Sequence, residues 1–378
     1  MRMVKTPIII GGVIASVLSG AAQAEITVLE KNSQSNALLA PLSLQVGGSI
    51  RPEFIFNNGP EPGYYKNGHD GGTRFRFSGD YALSDETSVI ANYEWGVDLA
   101  HVLEWDSHYR EGGDREYQRK FYGGLKDSRY GTLTFGQQFG IYYSVIGIKS
   151  DVWDNDGHAG GTGIGINGDY DGGNRPKDSL MYTNDFGPVT FYANYLFPEK
   201  DLYVGNVRYN RAGGGGLGID YHIDPTLTWS VAYSYTESKL KNSVNDDKKY
   251  HQQLSGTALT WQPNNWYIVG TASYYDDYVP STRAGRNISN YFAGAGYGLE
   301  GFAGYTFKFD QPFLESIQPY VAVDSMRLKG DEDYHANHVY LGAGTTIGYG
   351  LSVYVERTLA STTDKEPDST WITVFYDF

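Results

Sequence analysis

The sequence predicts an all-β fold: a sixteen-stranded antiparallel transmembrane β-barrel with one long connection, Gln138–Lys177, folded into its bore. Three observations carry this expectation. Segments of about ten residues alternate apolar and polar side chains along most of the chain, the pattern of a wall with lipid on one face and water on the other. Their connections alternate strictly between short turns and long polar loops, as in outer-membrane barrels. No later stretch is apolar for long enough to span a membrane as a helix, so a closed barrel is the only spanning structure that satisfies every backbone group.

Composition agrees. Only 40% of residues are hydrophobic and mean hydropathy is −0.44, yet there are 33 Tyr, 17 Phe and 7 Trp. A wall that is apolar on its outer half alone gives that average, and the aromatic excess suits interfacial girdles. There is no cysteine, so no disulfide contributes. The formal charge of −14 argues against a nucleic-acid partner, which would need a basic surface.

The chain begins with Arg2 and Lys5, then an apolar run Ile8–Leu18, then Ala22-Gln23-Ala24. A basic start, a short apolar run and a small-residue cleavage site are the layout of a secretory signal peptide, expected over 1–24. The polar stretch 25–40 shows no strand alternation and is longer than a barrel needs. It is expected as an N-terminal arm that could plug the pore, with the barrel over 41–378.

The first strand is expected over Leu44–Phe56, with Leu44, Val46, Ile50, Phe54 and Phe56 outward and Arg51 and Glu53 facing the bore. Asn57–Gly72 reads as a loop. Thr73–Ala82 turns Phe75, Phe77 and Tyr81 outward and Arg74 and Arg76 inward. Strands near Glu86–Gly96, Glu116–Leu125 and Tyr130–Gln137 follow, with the long loop Val97–Arg115 after the first of them. Beyond Gln138–Lys177 come Asp178–Asn184, Val189–Tyr195, a long loop, Gly214–Ile223, Thr226–Thr236, His251–Trp261, Trp266–Tyr275, a Gly-rich strand within Ser289–Phe309, Ile317–Leu328, Val339–Ile347, Leu351–Leu359 and Ser369–Phe378. Sixteen strands is a size that leaves an aqueous channel.

A segment as long as Gln138–Lys177, with no period of its own, is expected to be functional. It carries Asp151, Trp153, Asp154, Asp156, His158, Asp169, Asp171 and Arg175. Trp153 reads either as a pin holding the segment to the wall or as a stacking surface for sugar rings. The Asp154-Asn155-Asp156-Gly157 spacing suits Ca²⁺ but lacks the full ligand series and closing Glu, so no metal or other cofactor is expected. The eight histidines are scattered with no paired nucleophile and base, so an outer-membrane enzyme is not the reading. Surface adhesion by the long loops would be an addition to the pore.

Several segments, in order, resemble the general porins of Gram-negative bacteria: Thr73-Arg74-Phe75-Arg76-Phe77-Ser78-Gly79, Arg119-Lys120-Phe121-Tyr122-Gly123-Gly124, Phe135-Gly136-Gln137-Gln138-Phe139-Gly140, Arg175 followed by Ser179-Leu180-Met181-Tyr182-Thr183-Asn184, and the terminal Phe378. The resemblance implies homotrimers in the outer membrane, in contact with its lipid and lipopolysaccharide, that pass small hydrophilic solutes. It implies that Gln138–Lys177 is the third extracellular loop, folded into the pore. It implies an eyelet with Arg74, Arg119 and Arg175 on the wall, joined by Arg76 and by Arg51 through alternation. Lys120 replaces Arg119 if the register slips by one residue. The acidic side is Asp151 with Asp154 or Asp156. The family's usual Pro-Glu-Phe-Gly-Gly is replaced here by Trp153-Asp154-Asn155-Asp156-Gly157, and its usual first-strand Lys by Gly or Ser. A net acidic bore is expected to favour cations. The alternative is a sugar-selective porin of the chitooligosaccharide type, with Trp153 stacking on the sugar and the arm as plug.

Overall fold

The computed structural model describes residues 25–59, 67–104, 115–155, 157, 159, 172–204, 207–241, 249–277, 295–311, 313–329, 333–363 and 365–378. Among these, sixteen antiparallel strands form the wall. They are β1 (Leu42–Ile50, continued by Pro52–Asn57), β2 (Arg74–Ala82, preceded by Asn67–Asp70), β3 (Thr87–Val97), β4 (Glu116–Asp127), β5 (Gly131–Gln137), β6 (Ser179–Phe186), β7 (Val189–Leu196, continued by Glu199–Val204) and β8 (Val207–Asp224). The second half is β9 (Leu227–Lys241), β10 (Lys249–Trp261), β11 (Trp266–Asp276), β12 (Ala295–Tyr305, continued by Phe307–Gln311), β13 (Leu314–Lys329), β14 (Tyr334–Ile347), β15 (Leu351–Thr362) and β16 (Ser369–Asp377). Each pairs with its sequence neighbours, and β16 returns to β1 with Ser369 opposite Asn57 and Asp377 opposite Ser49. The sheet is therefore closed.

Alternation holds along the wall. On β10, Tyr250, Gln252 and Leu254 are buried while Leu259 and Trp261 are exposed. Phe54, Phe56 and Phe77 face outward as the sequence predicts. Several expected loops are shorter than the sequence suggests. Asn67–Asp70 pairs with Pro52–Asn57, Leu99–Val102 is a helical turn capped by Asp98, and β7 and β8 extend into the expected loop between them. The Gly-rich strand breaks at Thr306, and Ser289–Asn290 with the rest of its expected start lies outside the described residues.

The arm differs from its expectation. Phe378 ends β16 by exchanging backbone bonds with Gly48, of 2.8 and 3.1 Å. Below that point the edge of β1 would be open, and Ile26–Leu29 fills it, with Ile26 opposite Val46 and Thr27 opposite Gln45. This part of the arm is therefore in the wall and is not a plug. The physical reason is that an uncovered strand edge leaves backbone groups unpaired. Lys31 ties the arm to Asp80 at 2.6 Å, and Glu25 reaches Arg76 at 3.2 Å.

The inner wall of β8 carries Gly216 and Gly218, where a Cβ on Gly218 would stand 2.7 Å from Val145 of the long connection. Gly218→Val is expected to destabilise the folded barrel by about 1–3 kcal/mol through overpacking. The readout is the denaturant midpoint of the detergent-folded protein. Gly270→Val, whose Cβ meets nothing closer than 4.0 Å, should leave it unmoved.

Candidate functional site

The connection between β5 and β6 leaves the wall through a narrow neck. The Gly140 N–H donates to Asn174 O at 2.7 Å, and Gln138 Nε2 donates to Ser179 O at 2.9 Å. A Cβ at Gly140 would lie 2.2 Å from Gly172 O, so the two legs approach this closely only because position 140 is glycine. Arg211 of β8 closes the exit by donating to Lys177 O at 2.6 Å and Phe197 O at 3.0 Å.

Beyond the neck, Tyr143–Gly147 forms a π-helical turn and Ile148–Ser150 an α-helical one. Ile141, Val145 and Ile146 are fully buried against the inward face, over Gly216 and Gly218 of β8 and Gly256 of β10. Burying each such side chain contributes about 1.5–3 kcal/mol. The Tyr142 and Ser273 hydroxyls bond to each other on the same face.

The chain then runs along the inner wall toward β15 and β16. Lys149 Nζ pairs with Asp220 at 3.0 Å. Trp153 lies parallel to Phe302 at 6.0 Å between ring centres and against Tyr340 at 5.5 Å. The backbone N–H groups of Asp154 and Asn155 donate to the two carboxylate oxygens of Glu356, at 3.2 Å each. Thr373 donates to Asp154 Oδ2 at 2.8 Å, and Asn155 Nδ2 donates to Thr358 at 3.1 Å. The Ala159 N–H reaches Glu300 at 3.0 Å.

These contacts separate the expected acidic residues. Asp151 accepts a hydrogen bond from the Tyr143 hydroxyl and lies within electrostatic reach of Arg51. Asp154 instead turns toward the wall, beside Glu356 and Thr373. Asp156 and His158 lie outside the described residues, as do Asp169 and Asp171. Trp153 is only 4% exposed, with Phe302 and Tyr340 packed against it. A sugar ring needs a free aromatic face, so the stacking role gives way to the pinning role.

The expected basic residues do converge. Arg51, Arg119 and Arg175 all lie close enough to Arg74 to repel its charge. Arg51 sits 4.3 Å over the Phe375 ring and donates to Ser49 at 2.7 Å. Arg74 donates to Gly72 O at 2.9 Å, in a turn where Asp70 accepts the Gly72 and Thr73 N–H groups. Gly72 has φ +84°, which favours glycine.

Sequence reasoning missed the hub of this cluster. Glu94 of β3, 1% exposed, takes Arg119 at 2.8 Å, Lys120 at 2.9 Å and Arg76 at 3.2 Å. Both Arg119 and Lys120 reach it because of a β-bulge. Glu94 pairs with Lys120 but Trp95 pairs with Gln118, so Arg119 is the extra residue. A bulge breaks strict alternation and lets two successive side chains point to one face. The alternatives Arg119 and Lys120 thus both turn to Glu94. A carboxylate between two aromatics, Tyr93-Glu94-Trp95, was the available sequence sign.

Two outcomes follow from this arrangement. Glu94→Gln leaves three inward cations without their common carboxylate, and it is expected to cost about 3–5 kcal/mol in the denaturant midpoint. Asp154 behaves differently. Burial first, then Glu356, pushes its carboxyl up to about 7, against a smaller opposing effect of Thr373 and Arg51. Freed from the wall it would ionise near 3.8. Its docking is therefore unpenalised below the free value and loses stability as pH rises toward the docked one. Limited proteolysis should show the segment better protected at about pH 5 than at about pH 8, and Asp154→Asn should shrink the difference, leaving the part that belongs to the neighbouring Glu356.

Known proteins bear on this geometry. The family model of Gram-negative porins matches residues 12–378. Outer membrane porin C of Serratia marcescens is 22% identical over 333 residues, covering 77% of this chain and 79% of that one. Among solved structures, the Salmonella typhi OmpF complex with daunomycin superposes with a TM-score of 0.66 at 18% identity, covering 89% of this chain and 98% of that one. The trimer form of Vibrio cholerae OmpT gives 0.59 at 15% identity, covering 89% and 99%. With the closed sixteen-stranded wall, these likenesses make the chain a multi-pass β-barrel of the outer membrane and a member of the Gram-negative porin family.

Proposed function

We propose that the protein is a homotrimeric general-diffusion porin whose water-filled channels pass small hydrophilic solutes and ions and prefer cations. The preference rests on the acidic balance of the chain, a formal charge of −14, and on Glu94 taking up three of the wall's cations while Asp151 lies within reach of the bore-facing Arg51. Opposed charges across a narrow aqueous gap still set up a transverse field, focused by the low-dielectric wall. Solutes that orient their dipoles in it exchange hydration for ordered contacts, whereas apolar solutes disrupt that ordered water without return. Charged rings bias which ion passes. Asp151, Arg51, Arg74 and Arg175 are the residues assigned to this constriction, with Arg76 and Arg119 held back by Glu94.

Trimer formation rests on the family and on the trimer form of the OmpT relative. The exposed aromatic and aliphatic outer face supports contact with outer-membrane lipid and lipopolysaccharide. The burial of Trp153 speaks against the sugar-selective reading, because it removes the stacking surface on which that reading depended.

Planar-bilayer recording of the purified protein tests the proposal. In a salt gradient the reversal potential is expected to take the sign of cation preference, and oligosaccharides are expected to leave the open level nearly unblocked. An anion-signed potential would refute the preference. Concentration-dependent block by sugars would restore the sugar-selective reading.

A further inference from the structure

Of the fastenings that hold the long connection to the wall, two flank Asp151. The second is the tip, where Trp153 and the N–H groups of Asp154 and Asn155 meet β12, β14 and β15. The first is an ion pair with no evident part in conduction. Lys149 is 7% exposed and Asp220 only 3%. Their contact, Nζ to Oδ2 at 3.0 Å, lies on the inward face of β8. Asp220 is fully engaged: Ser230 donates to Oδ1 at 2.5 Å, and Tyr192 donates to Oδ2 at 3.1 Å. The backbone is fixed at the same residue, since the Tyr267 hydroxyl donates to Lys149 O at 2.7 Å. Strands β7, β8 and β9 therefore converge on the Asp220 carboxylate that takes Lys149, and β11 holds the Lys149 carbonyl.

A buried pair of this kind is a poor source of net stability, because desolvation offsets its attraction. A well-packed apolar side chain could hold the helical turn to the wall as firmly. What the pair adds is a defined position, since an ammonium facing one hydrogen-bonded carboxylate has far fewer alternatives than an aliphatic contact. Residue spacing converts that position into an orientation. Lys149 and Trp153 both turn to the wall, and Asp151, midway between them, turns to Tyr143 and Arg51.

We propose that Lys149 and Asp220 are positioning residues for ion selectivity: their ion pair sets where the Asp151 carboxylate stands across the bore. This rests on the constriction reading above. Without the pair, the turn retains its apolar seat on Gly216, Gly218 and Gly256, so the barrel assembles but Asp151 is no longer held at one distance from the basic wall.

Single-channel recording tests this directly. Lys149→Met and Asp220→Asn are each expected to lower the cation-to-anion permeability ratio and to add flicker between conductance levels. Lys149→Arg is expected to retain the wild-type ratio. The exchange Lys149→Asp with Asp220→Lys is expected to recover most of it. Asp220→Asn keeps one carbonyl acceptor and turns its N–H2 to the other hydroxyl, which can accept, so it reports on the pair even if Lys149→Met fails to fold. Single variants with wild-type ratio and noise overturn the proposal, as does a loss of heat stability with no change in either reading. An anion-preferring wild type would instead overturn the constriction reading, and the two failures are distinguishable on the same instrument.

Discussion

A strand edge inside a bilayer has no water to bond with, and that constraint shapes this protein from its termini inward. Each unsatisfied backbone group at that depth costs several kcal/mol, so the sheet has to close on itself. Closure here takes three pieces of chain. The edge of β1 is paired by β16 as far as Phe378, and Ile26–Leu29 takes over directly below it in the same antiparallel sense. The arm that looked superfluous by composition completes the wall. Its strand was easy to miss because only four residues, Ile26–Leu29, join the sheet, too few for an alternation to register within the polar stretch that follows.

A closed wall of this width leaves water inside, and the remaining architecture deals with that space. A segment crossing an aqueous bore can bury side chains only on the side that meets the wall. The wall accordingly recedes there. Gly216, Gly218 and Gly256 lack side chains where Ile141, Tyr142, Val145 and Ile146 lie. These glycines weaken the strands that carry them, because glycine loses the most backbone freedom on folding. The apolar contacts they admit offset that cost.

Much of this was legible from alternation alone. The inward faces of Arg51, Arg74 and Arg76 follow from the outward aromatics between them, and the length and acidity of Gln138–Lys177 marked it for the bore. Three features were not legible, each for a physical reason. The bulge at Arg119 shifts pairing by one residue, which a period-two pattern cannot register. Glu94 becomes a hub only through cross-strand pairs to Arg76 and Lys120, and those depend on hairpin registers on both sides. The fate of Trp153 depends on Phe302 and Tyr340, more than a hundred residues away in sequence and brought near only by closure of the barrel. The wall recess on β8 is written in the sequence as a glycine run, but its meaning requires knowing what lies over it.

Asp151 and Asp154 show how far environment can divide identical side chains. They stand three residues apart on one segment. Asp154 sits against Glu356 with one carboxylate oxygen buried and unbonded among the described residues, so its charge is opposed by desolvation and by a like neighbour. It serves the wall best when protonated. Asp151 instead accepts from the Tyr143 hydroxyl and lies within electrostatic reach of Arg51. It can serve the bore because it has been kept out of the wall. The same segment thus meets Arg51 and Tyr143 at one aspartate and the wall at the other. The difference arises within the short stretch between Lys149, paired with Asp220, and Trp153, packed on Phe302 and Tyr340.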